Sequence, residues 1–130
     1  MNKGTYILLL KLEEQLKIKL KNKNFELEIG YYCYVGSAMK NLHQRIGRHI
    51  SYKEGNYKKH WHIDNLLEVS EVKICFLIPD GIYREIEISS TFSNFFIPIK
   101  GFGASDLKID SNLYFIENLN IFFDLIKEFI

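Results

Sequence analysis

Most of what would place this chain outside the ordinary globular class is missing from it. It has only two prolines and two cysteines in 130 residues. That excludes a proline-rich linker and a disulfide-stapled secreted scaffold. Cys33 and Cys75 each lie inside an apolar run. Buried free thiols in a reducing cytoplasm are the plain expectation, with a single disulfide as the alternative. No apolar run reaches the length of a membrane span, so no membrane contact is expected. Met1-Asn2-Lys3 leads straight into a strand-like run, so no secretory leader is expected. Repeats, linkers and low-complexity tracts are also lacking.

What is present is a core. Hydrophobic residues make up 47% and charged residues 25% of the chain. A chain of this size hides about two-thirds of its unfolded surface and needs no staple. One domain over 1–130 is expected. The net charge of +1 conceals an asymmetry. Between Lys40 and His62, six cations (Lys40, Arg45, Arg48, Lys53, Lys58, Lys59) face Glu54 alone. That segment carries +5 and leaves −4 for the rest. Such a patch suits a docked polyanion; a solvated helix and loop is the bland alternative.

Periodicity outlines the elements. Thr5 to Leu12 reads as a buried strand. Ile18–Leu20 and Phe25–Ile29 alternate around a turn at Lys21-Asn22-Lys23-Asn24, which predicts a hairpin. Tyr31 to Val35 is a strand with Tyr32 and Tyr34 on one face, Cys33 and Val35 on the other. Asn41 is positioned to cap a helix over Leu42–Tyr52. Its stripe would be Leu42, Ile46, His49 and Ile50, with Arg45 and His49 together at the rim. His60 to Leu67 is ambiguous. Val72 to Ile78 is a strand stopped by Pro79-Asp80-Gly81. Ile82 to Phe96 fits both periods: Ile82, Ile86, Ser89, Ser90 and Ser93 make a helical stripe, while Ile82, Arg84, Ile86 and Ile88 alternate. Asn112–Ile116 reads as a late strand. Phe122, Leu125, Ile126 and Phe129 form the apolar face of a terminal helix.

Some residues are not needed for folding. Gly4-Thr5-Tyr6, Tyr34-Val35-Gly36-Ser37-Ala38, Arg45 and Arg48-His49 occur in that order, and all four histidines fall between positions 43 and 62. His60-Trp61-His62-Ile63-Asp64, Glu85, Gly101-Phe102-Gly103-Ala104-Ser105-Asp106 and Leu113-Tyr114-Phe115 follow. This order resembles the GIY-YIG nuclease superfamily. It is most similar to a compact, poorly characterised branch that occurs alone or fused to base-excision glycosylases of the endonuclease III type. Thr5 and Val35 stand where that signature has isoleucines, and both keep the β-branch. The long gap between the signatures is filled by the hairpin. Leu107 and Lys108 stand where the branch carries cysteines, which argues against a redox or metal role for that loop.

The resemblance implies an α+β fold: a small mixed, largely antiparallel sheet flanked by helices. It implies hydrolysis of DNA phosphodiesters with one divalent ion, Mg²⁺ or Mn²⁺. It tips the ambiguous segment around Glu85 toward helix. Arg45 would match the catalytic arginine, and Glu85 the metal-binding glutamate. Tyr6 and Tyr34 would orient or deprotonate the attacking water.

The chemistry of each residue type fits these roles. A carboxylate holds a hard cation suited to phosphoryl oxygens. An arginine fork matches a phosphate. A phenol is a poor base unless cations lower its pKa. His49 is a candidate to position the water or to shuttle a proton. Lys40, Arg48, Lys58, Lys59, His60 and His62 are candidates for DNA contact. In an extended segment His60, His62 and Asp64 would share a face, which invites a zinc reading, but no fourth ligand is evident. Trp61 would lie in the core or stack on a base. The bland alternatives are a rim tyrosine, a surface ion pair and an exposed glutamate. A nucleic-acid-binding module without turnover, or a partner of a glycosylase, remains the alternative to an endonuclease linked to DNA repair.

Overall fold

The computed structural model describes residues 2–20, 23–59, 61–79, 84–103 and 111–130. The turns expected at Lys21-Asn22 and Asp80-Gly81, together with His60, Ile82 and the loop from Ala104 to Asp106, lie outside the described residues. So do Leu107 and Lys108.

Strand β1 (Gly4–Leu12) is apolar at nearly every position because both its faces are covered. It pairs antiparallel with β4 (Gly30–Ala38) on one side and with β5 (Glu71–Ile78) on the other. β4 pairs with β7 (Leu113–Ile116), and β7 with the two-residue β6 (Ile97–Pro98). The sheet order is β5-β1-β4-β7-β6, and each of these pairings is antiparallel. β2 (Leu16–Leu20) and β3 (Lys23–Leu27) form the expected hairpin as a separate two-stranded sheet. The fold is therefore α+β, with helices on both faces of an antiparallel sheet.

Period two sorts the strands as expected. Tyr6, Leu8, Leu10, Tyr32 and Tyr34 face a layer made of α1 (Leu42–Ile50), α2 (His62–Leu67) and the hairpin. Ile7, Leu9, Cys33 and Val35 face α3 (Glu85–Ser93) and α4 (Leu119–Phe129). In α4 the four expected residues are buried, and the Asn118 carboxamide accepts from Asn120 and Ile121 at the helix start. No helix among the described residues is long and apolar enough to cross a membrane.

Four local expectations change. Asn41 stands in a left-handed conformation and makes no side-chain cap. Asn2 does that work from a distant stretch of chain: its carboxamide oxygen accepts from the His43 N–H at 2.7 Å, and its carbonyl accepts from the Leu42 N–H. α1 ends at Ile50, which is exposed; His49 is buried at 1% exposure and not at the rim. The segment from His62 is helical and not extended, so a shared strand face with Asp64 does not exist. In α3 the buried set is Glu85, Ile88, Ser89 and Phe92, while Ile86 points out.

Candidate active site

Register and close approach build the first half of the site. Tyr6 on β1 stands opposite Gly36 on β4. A Cβ at Gly36 would lie 2.4 Å from both Cζ and the hydroxyl of Tyr6. Glycine is required there because the phenol ring lies across the neighbouring strand. Tyr34 shares that face, with its ring centroid 6.4 Å from that of Tyr6.

Helix α1 supplies the second half. His49 Nε2 is 2.9 Å from the Tyr6 hydroxyl, in a buried contact. Arg45, one turn earlier, donates from Nη1 to the Ser37 carbonyl at 2.7 Å. The hydroxyl of the same Ser37 donates to Glu85 Oε1 at 3.0 Å. Ser37 thus holds arginine and carboxylate on either side of one residue. Glu85 is the first residue of α3, where the helix dipole favours a carboxylate. The Arg84 N–H donates to the buried Thr5 hydroxyl at 3.2 Å and ties that helix start to β1.

Burial sets the protonation states. It pushes the Tyr6 phenol well above 10.0; neighbouring Tyr34 and Glu85 push the same way, and Arg45 opposes. Burial and Glu85 likewise raise Tyr34. Burial lowers His49 to about 4, so its imidazole is neutral at neutral pH. Burial raises Glu85, with Ser37 and Arg45 opposing. Tyr6 and His49 form a neutral donor–acceptor pair. When the phenol donates to Nε2, the proton of the ring sits on Nδ1, which has no partner among the described residues.

The structure brings Tyr6, Tyr34, Arg45, His49 and Glu85 into one linked cluster. The other candidates divide. Arg48 makes a two-pronged pair with the fully buried Asp64, at 2.9 and 3.0 Å. Trp61 lies between the two arginines, with the guanidinium of Arg45 4.8 Å and that of Arg48 4.7 Å from its ring. Trp61 is half-buried, neither enclosed in the core nor fully exposed. Lys59 pairs with Glu68 at 2.8 Å. His62 Nδ1 accepts from the Gly103 N–H at 3.0 Å and so anchors the glycine-rich loop. Lys40 and Lys58 are exposed.

Two residues escaped the sequence reading. Ser37 lay inside a quoted motif, but its double role depends on α1 and α3 arriving from either side. Asn112 donates to the Gly103 carbonyl at 3.3 Å and, like Tyr34, packs against Gly103. No local pattern distinguishes such an asparagine from a turn residue. Among the described residues no group of three or more histidine, cysteine, aspartate or glutamate side chains gathers as a ready metal cage.

No curated protein and no solved structure matches the chain. One family does: its model, described as domain of unknown function DUF123, matches residues 5–130, nearly the entire length. The chain belongs to that family.

Proposed function

We propose that this chain is a divalent-metal-dependent endonuclease that hydrolyses DNA phosphodiesters with a GIY-YIG-like site. One observation carries the reading: Ser37 joins Arg45 to Glu85 while His49 joins α1 to Tyr6. A phosphate cation, a carboxylate and a proton-accepting pair thus converge from two strands and two helices.

Each side chain has a task. The Arg45 fork binds the non-bridging oxygens of the scissile phosphate and offsets charge as it develops. Tyr6, its hydroxyl bonded to neutral His49 Nε2, orients the attacking water. Tyr34, on the same face as Tyr6, orients that water. Glu85 would hold a single Mg²⁺ or Mn²⁺: it is a hard oxygen ligand on the start of α3, with one carboxylate oxygen bonded to Ser37. Such an ion usually keeps several waters and needs only one or two carboxylates. When bound, it supplies Lewis acidity at the phosphate and lowers the pKa of neighbouring acids.

A second reading, a DNA-binding module without turnover, draws on the near-complete burial of Tyr6 and Tyr34, at 2% and 7% exposure. One experiment separates the two. Purified protein is incubated with plain, nicked, flapped and damaged DNA plus Mg²⁺ or Mn²⁺. Cleavage that disappears in Arg45→Ala and Glu85→Ala supports the enzyme; salt-sensitive binding with no cleavage of any substrate supports the module.

A further inference from the structure

Trp61 stands just ahead of α2, and its ring meets two members of the candidate site at once. The Arg45 guanidinium lies over it at 4.8 Å. The His49 imidazole meets it edge to face, with centroids 5.7 Å apart and planes at 73°. Arg45 and His49 are one turn apart on α1, so a single broad ring reaches both.

Each of those side chains has a hydrogen bond that fixes it only in part. Arg45 Nη1 donates to the Ser37 carbonyl, which leaves the guanidinium free to swing about that bond. His49 Nε2 bonds the Tyr6 hydroxyl, which leaves the imidazole free to tilt. A surface laid against each group removes the remaining freedom. For a guanidinium the best such surface is an indole face, whose quadrupole attracts the cation. For a neutral imidazole an edge-to-face contact is a favoured aromatic geometry. An aliphatic side chain would fill the same space and supply neither.

The ring itself is mounted. The Trp61 N–H donates to Asp64 Oδ2 at 3.0 Å. Arg48 grips the same carboxylate with both terminal nitrogens, and its guanidinium lies 4.7 Å from the indole. Its Nη2 also donates to the Lys58 carbonyl at 2.8 Å. A buried ion pair is a poor source of net stability, so stability does not account for this one. Its geometric effect is to fix the start of α2, and with it the indole, against α1.

We propose that Trp61 is a positioning residue. Its ring holds the Arg45 guanidinium and the His49 imidazole in the orientation the site uses, with Asp64 and Arg48 as its mount. The use of that orientation in cleavage rests on the nuclease reading; the restraint on Arg45 and His49 does not.

The test compares wild type with Trp61→Leu and Trp61→Phe, each checked by thermal unfolding. NMR reads the Arg45 side-chain N–H resonances without any substrate. In wild type the ring current of the indole shifts them upfield and the guanidinium rotates slowly. Trp61→Leu loses the shift and speeds the rotation; Trp61→Phe, which keeps an aromatic face, stays close to wild type. A wild-type Arg45 with unshifted, freely rotating N–H groups overturns the restraint, whatever the variants do. So does an Arg45 that is unchanged in Trp61→Leu. Single-turnover cleavage with Mn²⁺ is measured in parallel. Misplacing a reacting group by about 1 Å can cost about 100-fold, so Trp61→Leu should cleave about 10–100-fold slower. Its half-saturating DNA concentration should barely move, and Trp61→Phe should keep most of the rate. Wild-type cleavage by Trp61→Leu, or a loss that follows unfolding temperature equally in both variants, overturns the positioning role. A wild type that cleaves no DNA, while Trp61→Leu still frees Arg45, overturns the nuclease reading and leaves the restraint standing.

Discussion

On one face of the sheet, α3 and α4 set phenylalanine against phenylalanine: Phe92, Phe96, Phe122 and Phe129 meet at centroid distances from 5.5 to 6.2 Å. The buried phenol among them, Tyr114, bonds the backbone carbonyls of Ser89 and Ser111. On the other face, α1 and α2 bury His49 and Asp64 beside Tyr6, Tyr32 and Tyr34. There the polar groups bond chiefly to other side chains, and the His49 Nδ1 atom is left without a partner among the described residues. Buried polar groups cost stability unless satisfied, and hydrocarbon does not carry that cost. Both faces bury hydrocarbon, but the α1–α2 face also buries a histidine and an aspartate, whose cost its apolar residues offset.

Substitutions on the two faces should fail differently. Phe122→Ala removes a fully buried ring that touches four others. It should lower unfolding free energy by about 3–5 kcal/mol in a denaturant titration. Cleavage by the fraction that remains folded should be unchanged. A loss below about 1 kcal/mol would show that the face does not anchor the fold. Arg45→Ala should do the reverse: a cleavage rate about 10²–10³-fold lower, with the unfolding midpoint nearly preserved.

His49 sharpens the contrast through pH. Its folded pKa, about 4, lies below the ordinary 6.5, so the unfolded chain binds its proton more tightly. Its contribution to stability is complete above pH 6.5 and is lost as pH falls toward 4, by about 3 kcal/mol across the window. Raised Glu85 acts with the opposite sign, its folded form holding a proton that the unfolded chain has released. The difference between wild type and His49→Gln isolates the imidazole. That difference should change with pH; a constant offset from pH 7 to 4 would show that His49 titrates normally. Asp64→Asn should have the smallest effect, about 2 kcal/mol, because Arg48 keeps some exposure and its bond to the Lys58 carbonyl. Thermal unfolding measures it.

Much of this architecture was legible in the sequence. The alternation of Tyr32, Cys33, Tyr34 and Val35 assigns each residue to the layer it occupies, because strand period is local. The four apolar residues of α4 follow for the same reason. The start of α1 at Leu42 was legible, but its cap was not, since that comes from Asn2, some forty positions away in the chain. Periodicity alone left α3 open because its segment supports both periods; the resemblance tipped it toward the helix that is found, and Thr5 and Ser37 tie that helix start in place. For the candidate site, residue types and order were readable, but the bonds that join them were not. Ser37 and Asn112 act only through neighbours from other elements.

The central claim is that the cluster joining α1 to α3 through Ser37 hydrolyses phosphodiesters, with Glu85 as its carboxylate. Its most direct test is the single-turnover cleavage rate of Glu85→Gln beside wild type at saturating Mn²⁺. Wild type should cleave, and the amide, which keeps the size and a hydrogen bond to Ser37 but loses the charge, should be at least about 100-fold slower. Equal rates would contradict the account.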